Sequence, residues 1–182
     1  GNIGISPLKV LREEKNIDYL VFELSSFQIN NIINFTPDYA FVLNITPDHL
    51  DYHKDFEEYY NVKLNIVKNG LRKGALFLDE NINFINEKNL KLYKSDEAIC
   101  RDLKSLTGLL IDSNLSFVSK FSELEKLDFN KVIETVKFNF KNLEHRLEFV
   151  AEKEGIKYIN DSKATNVAAT KFAIKNNKNV IL

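Results

Sequence analysis

The sequence contains no methionine and only one cysteine, Cys100. A lone cysteine cannot close a disulfide within the chain, which fits a reducing compartment and leaves Cys100 as an ordinary small side chain. No apolar run approaches the ~20 residues that a membrane-crossing helix needs, and no signal peptide is visible. A basic excess is lacking too: 25 Lys and Arg face 26 Asp and Glu, for a net charge of -1. That argues against a nucleic-acid binder held by phosphate contacts. It leaves room for an acidic substrate handled locally by a few cations and a metal. No internal repeat or low-complexity linker occurs, and no G-x-x-x-x-G-K-[ST] phosphate loop is present. The missing methionine, a first residue inside what reads as a turn, and a final Asn179-Val180-Ile181-Leu182 that reads as a strand just starting suggest a chain cut at both ends.

Hydrophobic residues make up 44% of the 182, enough to bury a core and to exclude global disorder. The heavy use of Lys, Asn and Ile reads as codon bias. A helix is expected over residues 2–16 after a Gly-Asn-Ile-Gly turn, with Leu8, Val10 and Leu11 as apolar positions. Asp18-Tyr19-Leu20-Val21-Phe22-Glu23-Leu24 is a continuous apolar run of the kind a fully buried parallel strand shows, and it ends on the carboxylate of Glu23. Residues 27–33 read as a short helix or turn. A second buried strand is expected over 39–45, leading into Asn44-Ile45-Thr46-Pro47-Asp48-His49. Phe56, Tyr59, Tyr60, Lys63, Leu64 and Val67 recur at helical spacing over 56–69, and Gly70 suits the end of that helix. Residues 74–78 read as a third strand. The stretch 81–142 is less legible, with a helix expected over 128–136. Strands over 145–150 and 156–160 flank Glu154-Gly155 as a hairpin, and a helix follows over 165–175. Strand–helix–strand alternation implies an α/β fold with a parallel sheet. Such sheets bind ligands at the carboxyl ends of their strands, where Glu23 and His49 both fall.

Four segments carry candidate chemistry. In Glu23-Leu24-Ser25-Ser26-Phe27-Gln28, a carboxylate closing a buried strand is costly unless something such as a divalent cation compensates it; a surface carboxylate is the plainer alternative. In Asn44-Ile45-Thr46-Pro47-Asp48-His49-Leu50-Asp51, a loop histidine can ligate a metal or contact an oxyanion, or can be a satisfied structural residue. His53 has no such context and reads as surface. Lys63 sits among apolar positions of its helix, away from Glu57 and Glu58. A buried lysine tends to lose its proton, and a neutral amine can take up carbon dioxide as a carbamate, a carboxylate-like metal ligand. A snorkelling lysine is the alternative. The fourth segment is His145-Arg146 with Asp161-Ser162-Lys163-Ala164-Thr165-Asn166, which leads toward a helix N-terminus suited to anions. Asp161 or Ser162 as a plain N-cap is an equally simple reading.

Taken in order, Gly-Asn-Ile-Gly, Glu-Leu-Ser-Ser-Phe-Gln, Asn-Ile-Thr-Pro-Asp-His-Leu-Asp, a helix lysine, Glu-His-Arg-Leu-Glu-Phe and Asn-Asp-Ser-Lys-Ala-Thr-Asn resemble the Mur ligases, ATP-dependent carboxylate–amine ligases of peptidoglycan precursor synthesis. The Leu-Ser-Ser-Phe-Gln continuation resembles the branch that adds D-glutamate to UDP-N-acetylmuramoyl-L-alanine. The resemblance spans nearly the whole chain, with a gap between about residues 80 and 142. It implies that residues 1–144 are part of a central P-loop ATPase-like domain with a parallel sheet. Residues 145–182 would start a Rossmann-like C-terminal domain. It implies ATP and two Mg2+ ions, with Glu23 on the magnesium shared with the ATP phosphates and His49 and carbamylated Lys63 serving the second. Asn2 and Ser25 would contact the muramoyl substrate, Arg146 and Asp161 would hold the nucleotide, and Lys163 and Thr165 would face the D-glutamate side. A cytoplasmic, monomeric enzyme without nucleic-acid or membrane partners is implied as well.

Two features depart from the family pattern. The adenine-side His-Asn pair with a second Asn has only Ser113-Asn114 and Phe117 as a counterpart. The phosphate loop, which the family places before Gly-Asn-Ile-Gly, is not in the sequence, so this stretch alone is not expected to turn over ATP. Another ligase of the superfamily, such as a folylpolyglutamate synthase, and a non-catalytic nucleotide-binding relative are the alternatives. A scaffold would have no use for Glu23, His49, Lys63, Arg146 and Asp161 together.

Overall fold

The computed structural model describes residues 5–84, 90–95, 112–139, 143–175 and 179–181. The chain divides into two compact units, Gly1–Leu92 and Tyr93–Leu182. In the first, α1 (Pro7–Glu13) starts on a proline, whose missing N–H is no loss in a first turn. Then come α2 (Ser26–Asn30), β1 (Tyr39–Val42), α3 (Phe56–Leu64) with a 3-10 turn at Asn65–Val67, β2 (Ala75–Leu78) and, starting at the unit's last residues, β3 (Lys91–Lys94). The sheet has the order β1-β2-β3, and β1 runs parallel to β2 in the register Tyr39↔Ala75 to Val42↔Leu78. All four residues of β2 are buried, as expected for the middle strand of a sheet covered on both faces. Around it lies a core of Ala40, Val42, Val67, Leu76, Leu78, Ile82 and Leu90. On the other face of the sheet Phe77 stacks on Phe41 with ring centroids 4.3 Å apart. Gly70 closes the helical segment with φ +82° and donates its N–H to the Val67 carbonyl at 2.8 Å.

Residues 18–24 do not form the buried strand that their composition suggests. Among the described residues they pair with no strand, and Val21 is 91% and Tyr19 50% exposed. The apolar run meets the requirement for burial but not the one for a ladder, because a strand exists only where a neighbour takes its N–H and C=O groups. The helix expected over 2–16 is likewise shorter, and β1 ends at Val42, three residues before the apolar run does.

The second unit holds α4 (Asp112–Leu124), α5 (Phe129–Asn139), the antiparallel hairpin β4 (Glu148–Lys153) and β5 (Ile156–Asn160), and α6 (Val167–Lys175). α4 occupies part of the stretch that was hard to read from sequence, and it buries Leu115 and Phe117. α5 lies where a helix is expected. Asp128 starts it by accepting hydrogen bonds from the N–H groups of Asn130 at 3.1 Å and Lys131 at 3.4 Å. The hairpin turns through Glu154 (φ +54°) and Gly155 (φ +75°). Two consecutive left-handed residues between paired strands make a type I′ turn, which matches the strand twist.

Replacing Leu76 by Ala is expected to destabilise the protein by about 2–5 kcal/mol, read as a lower denaturant midpoint. Glu154→Asn should do the opposite, by about 0.5–1 kcal/mol, because asparagine tolerates the left-handed turn position that glutamate occupies under strain.

Candidate active site

Four of the expected site residues, Glu23, Ser25, His49 and Lys63, lie on described segments of the first unit. Ser25 caps α2: its Oγ accepts the Gln28 N–H at 3.3 Å, and the Gln28 side chain accepts the Ser25 N–H at 3.0 Å. This capping box fixes the chain immediately after Glu23, which is solvent-exposed at the edge of a hollow lined by Pro7, Val10 and Phe22. The Ser25 hydroxyl is thus engaged within the box. Asn2, the other residue expected to contact the muramoyl substrate, lies outside the described residues.

Beyond β1 the chain turns sharply at His49, whose φ of +53° puts it in the left-handed region. Its carbonyl accepts the N–H groups of Tyr52 at 3.1 Å and His53 at 3.0 Å. Asp48 secures the turn by accepting the His49 N–H at 2.9 Å, and the same carboxylate oxygen lies 3.9 Å from His49 Nδ1. The His49 side chain is 47% exposed. A non-glycine residue held left-handed costs of order 1–3 kcal/mol, and such strain clusters at functional sites.

Lys63 projects from α3, one turn after Tyr59, with Nζ 5.2 Å from the Tyr59 ring centre. Burial lowers its pKa below that of an ordinary lysine, and the nearby carboxylates of Asp48 and Glu23 partly oppose the shift. Lys63 is therefore a half-buried amine with two carboxylates in electrostatic reach, and Asp48 ties it to His49. The loss of hydration is the larger influence, so the neutral amine is more accessible than in water. Among the described residues no three His, Cys, Asp or Glu side chains gather closely enough to hold a metal by themselves. Magnesium seldom needs such a cage. It keeps several waters and is held by one or two carboxylates together with phosphate oxygens, so the exposed Glu23 carboxylate fits that donor chemistry.

His53 requires a correction. Expected at the surface, it is 2% exposed and its Nε2 lies 3.0 Å from the Oγ of Ser26, which is equally buried. The ring stacks on Phe27 at 5.9 Å and meets Tyr52 at 4.9 Å and Tyr59 at 5.2 Å. The turn at His49 folds residue 53 back among these aromatics, a contact over 27 residues that no local pattern displays. The density of aromatic side chains at Tyr52, Phe56, Tyr59 and Tyr60 was the available signal.

In the second unit the remaining candidates lie on the segments that enter and leave the hairpin. The chain reaches β4 through two left-handed residues, His145 (φ +64°) and Leu147 (φ +44°), on either side of Arg146. Asp161 accepts the Leu147 N–H at 3.1 Å, and the Lys163 N–H donates to the His145 carbonyl at 3.1 Å. Asn160 donates to Glu148 at 3.2 Å and meets His145 Nδ1 at 2.8 Å. Arg146 and Asp161 are thus brought to one place, with the Arg146 residue exposed and Asp161 half-buried. Neither Asp161 nor Ser162 caps the following helix, which begins only at Val167. Its cap is Asn166, whose side chain accepts the Ala169 N–H at 2.9 Å. Lys163 and Thr165 are exposed on the connecting loop, Thr165 beside a shallow hollow shared with Asn166 and Thr170. At the counterpart of the adenine-side asparagines, Phe117 is 2% exposed within α4.

The family model described as the Mur ligase middle domain matches residues 3–154. A protein of Fusobacterium nucleatum named UDP-N-acetylmuramoylalanine–D-glutamate ligase is 41% identical over 207 residues, covering 100% of this chain and 47% of the relative. Proteins of the same name from Caldanaerobacter subterraneus and Francisella tularensis are 34% and 37% identical, over 96% and 100% of this chain and 44% and 45% of theirs. The chain spans about half the length of these curated relatives. With the match extending over most of its length and including Glu23, His49 and Lys63, the chain belongs to the Mur ligase family.

Proposed function

We propose that this chain is part of an ATP-dependent ligase that joins D-glutamate to UDP-N-acetylmuramoyl-L-alanine. The observation that carries the reading is the half-buried Lys63 amine beside Asp48 and Glu23. The names of the relatives supply the substrates. A carboxylate is a poor electrophile, so the terminal carboxylate of the muramoyl substrate is first phosphorylated by ATP. The D-glutamate amine then attacks the acyl phosphate and inorganic phosphate leaves. Bound Mg2+ supplies neutralisation of the phosphate charge. Glu23 would hold one such ion together with the ATP phosphates, and His49 and Lys63 would serve a second.

Lys63 takes this role as a carbamate. The ammonium first gives up one proton; the neutral amine then attacks carbon dioxide, forming an N–C bond and releasing a second proton, so that a cation becomes a carboxylate-like anion. Asp48 holds the left-handed turn that presents His49. Ser25 and Asn2 contact the muramoyl substrate. In the second unit Arg146 and Asp161 hold the nucleotide, and Lys163 and Thr165 face D-glutamate. We assign residues 1–144 to the central ATP-binding domain and residues 145–182 to the start of a Rossmann-like C-terminal domain, in a monomeric cytoplasmic enzyme. No helix among the described residues is long and apolar enough to cross a membrane.

The test is phosphate release by the full-length protein with UDP-N-acetylmuramoyl-L-alanine and a panel of amino acids. D-glutamate alone should serve as acceptor; a preference for another amino acid would overturn the assignment. Lys63→Ala should lower kcat by ~100-fold or more, since it removes both a charge and a ligand at the reacting phosphate. The carbamate itself is checked by intact-protein mass after chemical trapping. Depletion of carbon dioxide should reduce turnover, and bicarbonate should restore it. Restoration should be faster as pH rises toward the lowered pKa of Lys63, because only the unprotonated amine reacts. Near-normal turnover of the alanine variant would remove this role.

A further inference from the structure

We infer that His53 is a positioning residue for this site, acting through its buried contact with Ser26. The inference rests on the function proposed above and adds a residue to which that function assigns no role. The two groups, 3.0 Å apart and 27 residues distant in sequence, are each 2% exposed. An imidazole and a hydroxyl withdrawn from water are costly unless they satisfy each other, so the contact holds its two segments together strongly.

Each segment around His53 bears a site residue. Ser26 opens α2, directly after Ser25 and three residues after Glu23. The His53 N–H donates to the His49 carbonyl at 3.0 Å and so closes the left-handed turn that presents His49. The His53 ring packs against Tyr59 at 5.2 Å, and Lys63 Nζ lies 5.2 Å from the centre of the Tyr59 ring. Phe27 completes the arrangement, stacking on His53 at 5.9 Å and meeting the His49 ring edge-on at 5.0 Å. His53 therefore links the Glu23–Ser25 segment, the His49 turn and the Lys63 helix. His53 touches none of the expected ligands with its ring nitrogens, so its effect on chemistry is through placement. Loss of such an outer partner lowers activity by ~10–100-fold in comparable sites.

The experiment uses the full-length protein with His53→Phe, His53→Gln and Ser26→Ala. Phenylalanine keeps the ring and its packing but cannot bond Ser26, whereas glutamine keeps a polar atom for it. His53→Phe should lower kcat by ~10–100-fold, with KM for the muramoyl substrate changed by less than about twofold and a raised Mg2+ requirement. His53→Gln should recover most of that rate. Ser26→Ala should fall like His53→Phe, and the double variant should be no worse than either single one. A purely structural role would instead lower stability while leaving the kcat-to-KM split and the Mg2+ requirement unmoved. Should His53→Phe fail to fold, the smaller Ser26→Ala change carries the kinetic test. Independently of turnover, the ring 1H–15N signals of His49 should shift in His53→Phe and Ser26→Ala and return in His53→Gln. If the unmodified protein does not ligate D-glutamate, the functional reading fails while these signals still decide whether His53 positions His49. Unshifted His49 signals, or wild-type kcat in a folded Ser26→Ala protein, would overturn it.

Discussion

Burying Ala75–Leu78 removes β2 from water on both faces, so its backbone groups depend on flanking strands for their hydrogen bonds. Parallel pairing with β1 satisfies one side, and that pairing also decides where β1 ends. The chain leaving Val42 runs over the carboxyl edge of the sheet, where it forms the Asp48–His49 turn before returning as α3. The core of Ala40, Val42, Val67, Leu76 and Leu78 packs against Ile45 and Leu64, on the segments that carry His49 and Lys63. The catalytic candidates are not in the core. They sit on the segments that the core forces to turn.

What those turns achieve is electrostatic. Asp48 serves two ends, accepting the backbone N–H that stabilises the left-handed His49 and lying within reach of Lys63. Burial moves the Lys63 amine toward its neutral form, while two carboxylates pull the other way. The balance leaves a base that is neither an ordinary surface lysine nor an inert buried one. The aromatic side chains of Phe27, Tyr52 and Tyr59 line this region with rigid apolar surface, and a buried polar contact between His53 and Ser26 lies among them.

The second unit solves a similar problem with backbone hydrogen bonds. Two left-handed residues flank Arg146, a costly conformation that Asp161 and Lys163 stabilise by bonding to Leu147 and His145 across the base of the hairpin. Asp161 is therefore structural in the first place. The carboxylate that orders the Arg146 segment also stays close to it, which is the arrangement a charged ligand would meet.

Much of the local architecture was legible in the sequence. Helical spacing from Phe56 onward, the apolar run of β2 and the Glu154-Gly155 turn depend on neighbours in sequence, and the structure bears them out. The order of motifs was equally sufficient for the family. Residues 18–24 show the limit: an apolar run reports a preference for burial, but a strand also needs a partner, and partnership is not written in the run itself. His53 shows the same limit at the site. Read alone it is an unremarked histidine near a charged loop, yet chain folding puts it against Ser26 and Phe27. Sequence by itself determined the residue types able to do the chemistry, because charge, nucleophilicity and turn propensity belong to single side chains or short runs. Only the tertiary structure decided which of them meet, and which lysine loses its water, because distance and burial arise from contacts between segments far apart in the chain.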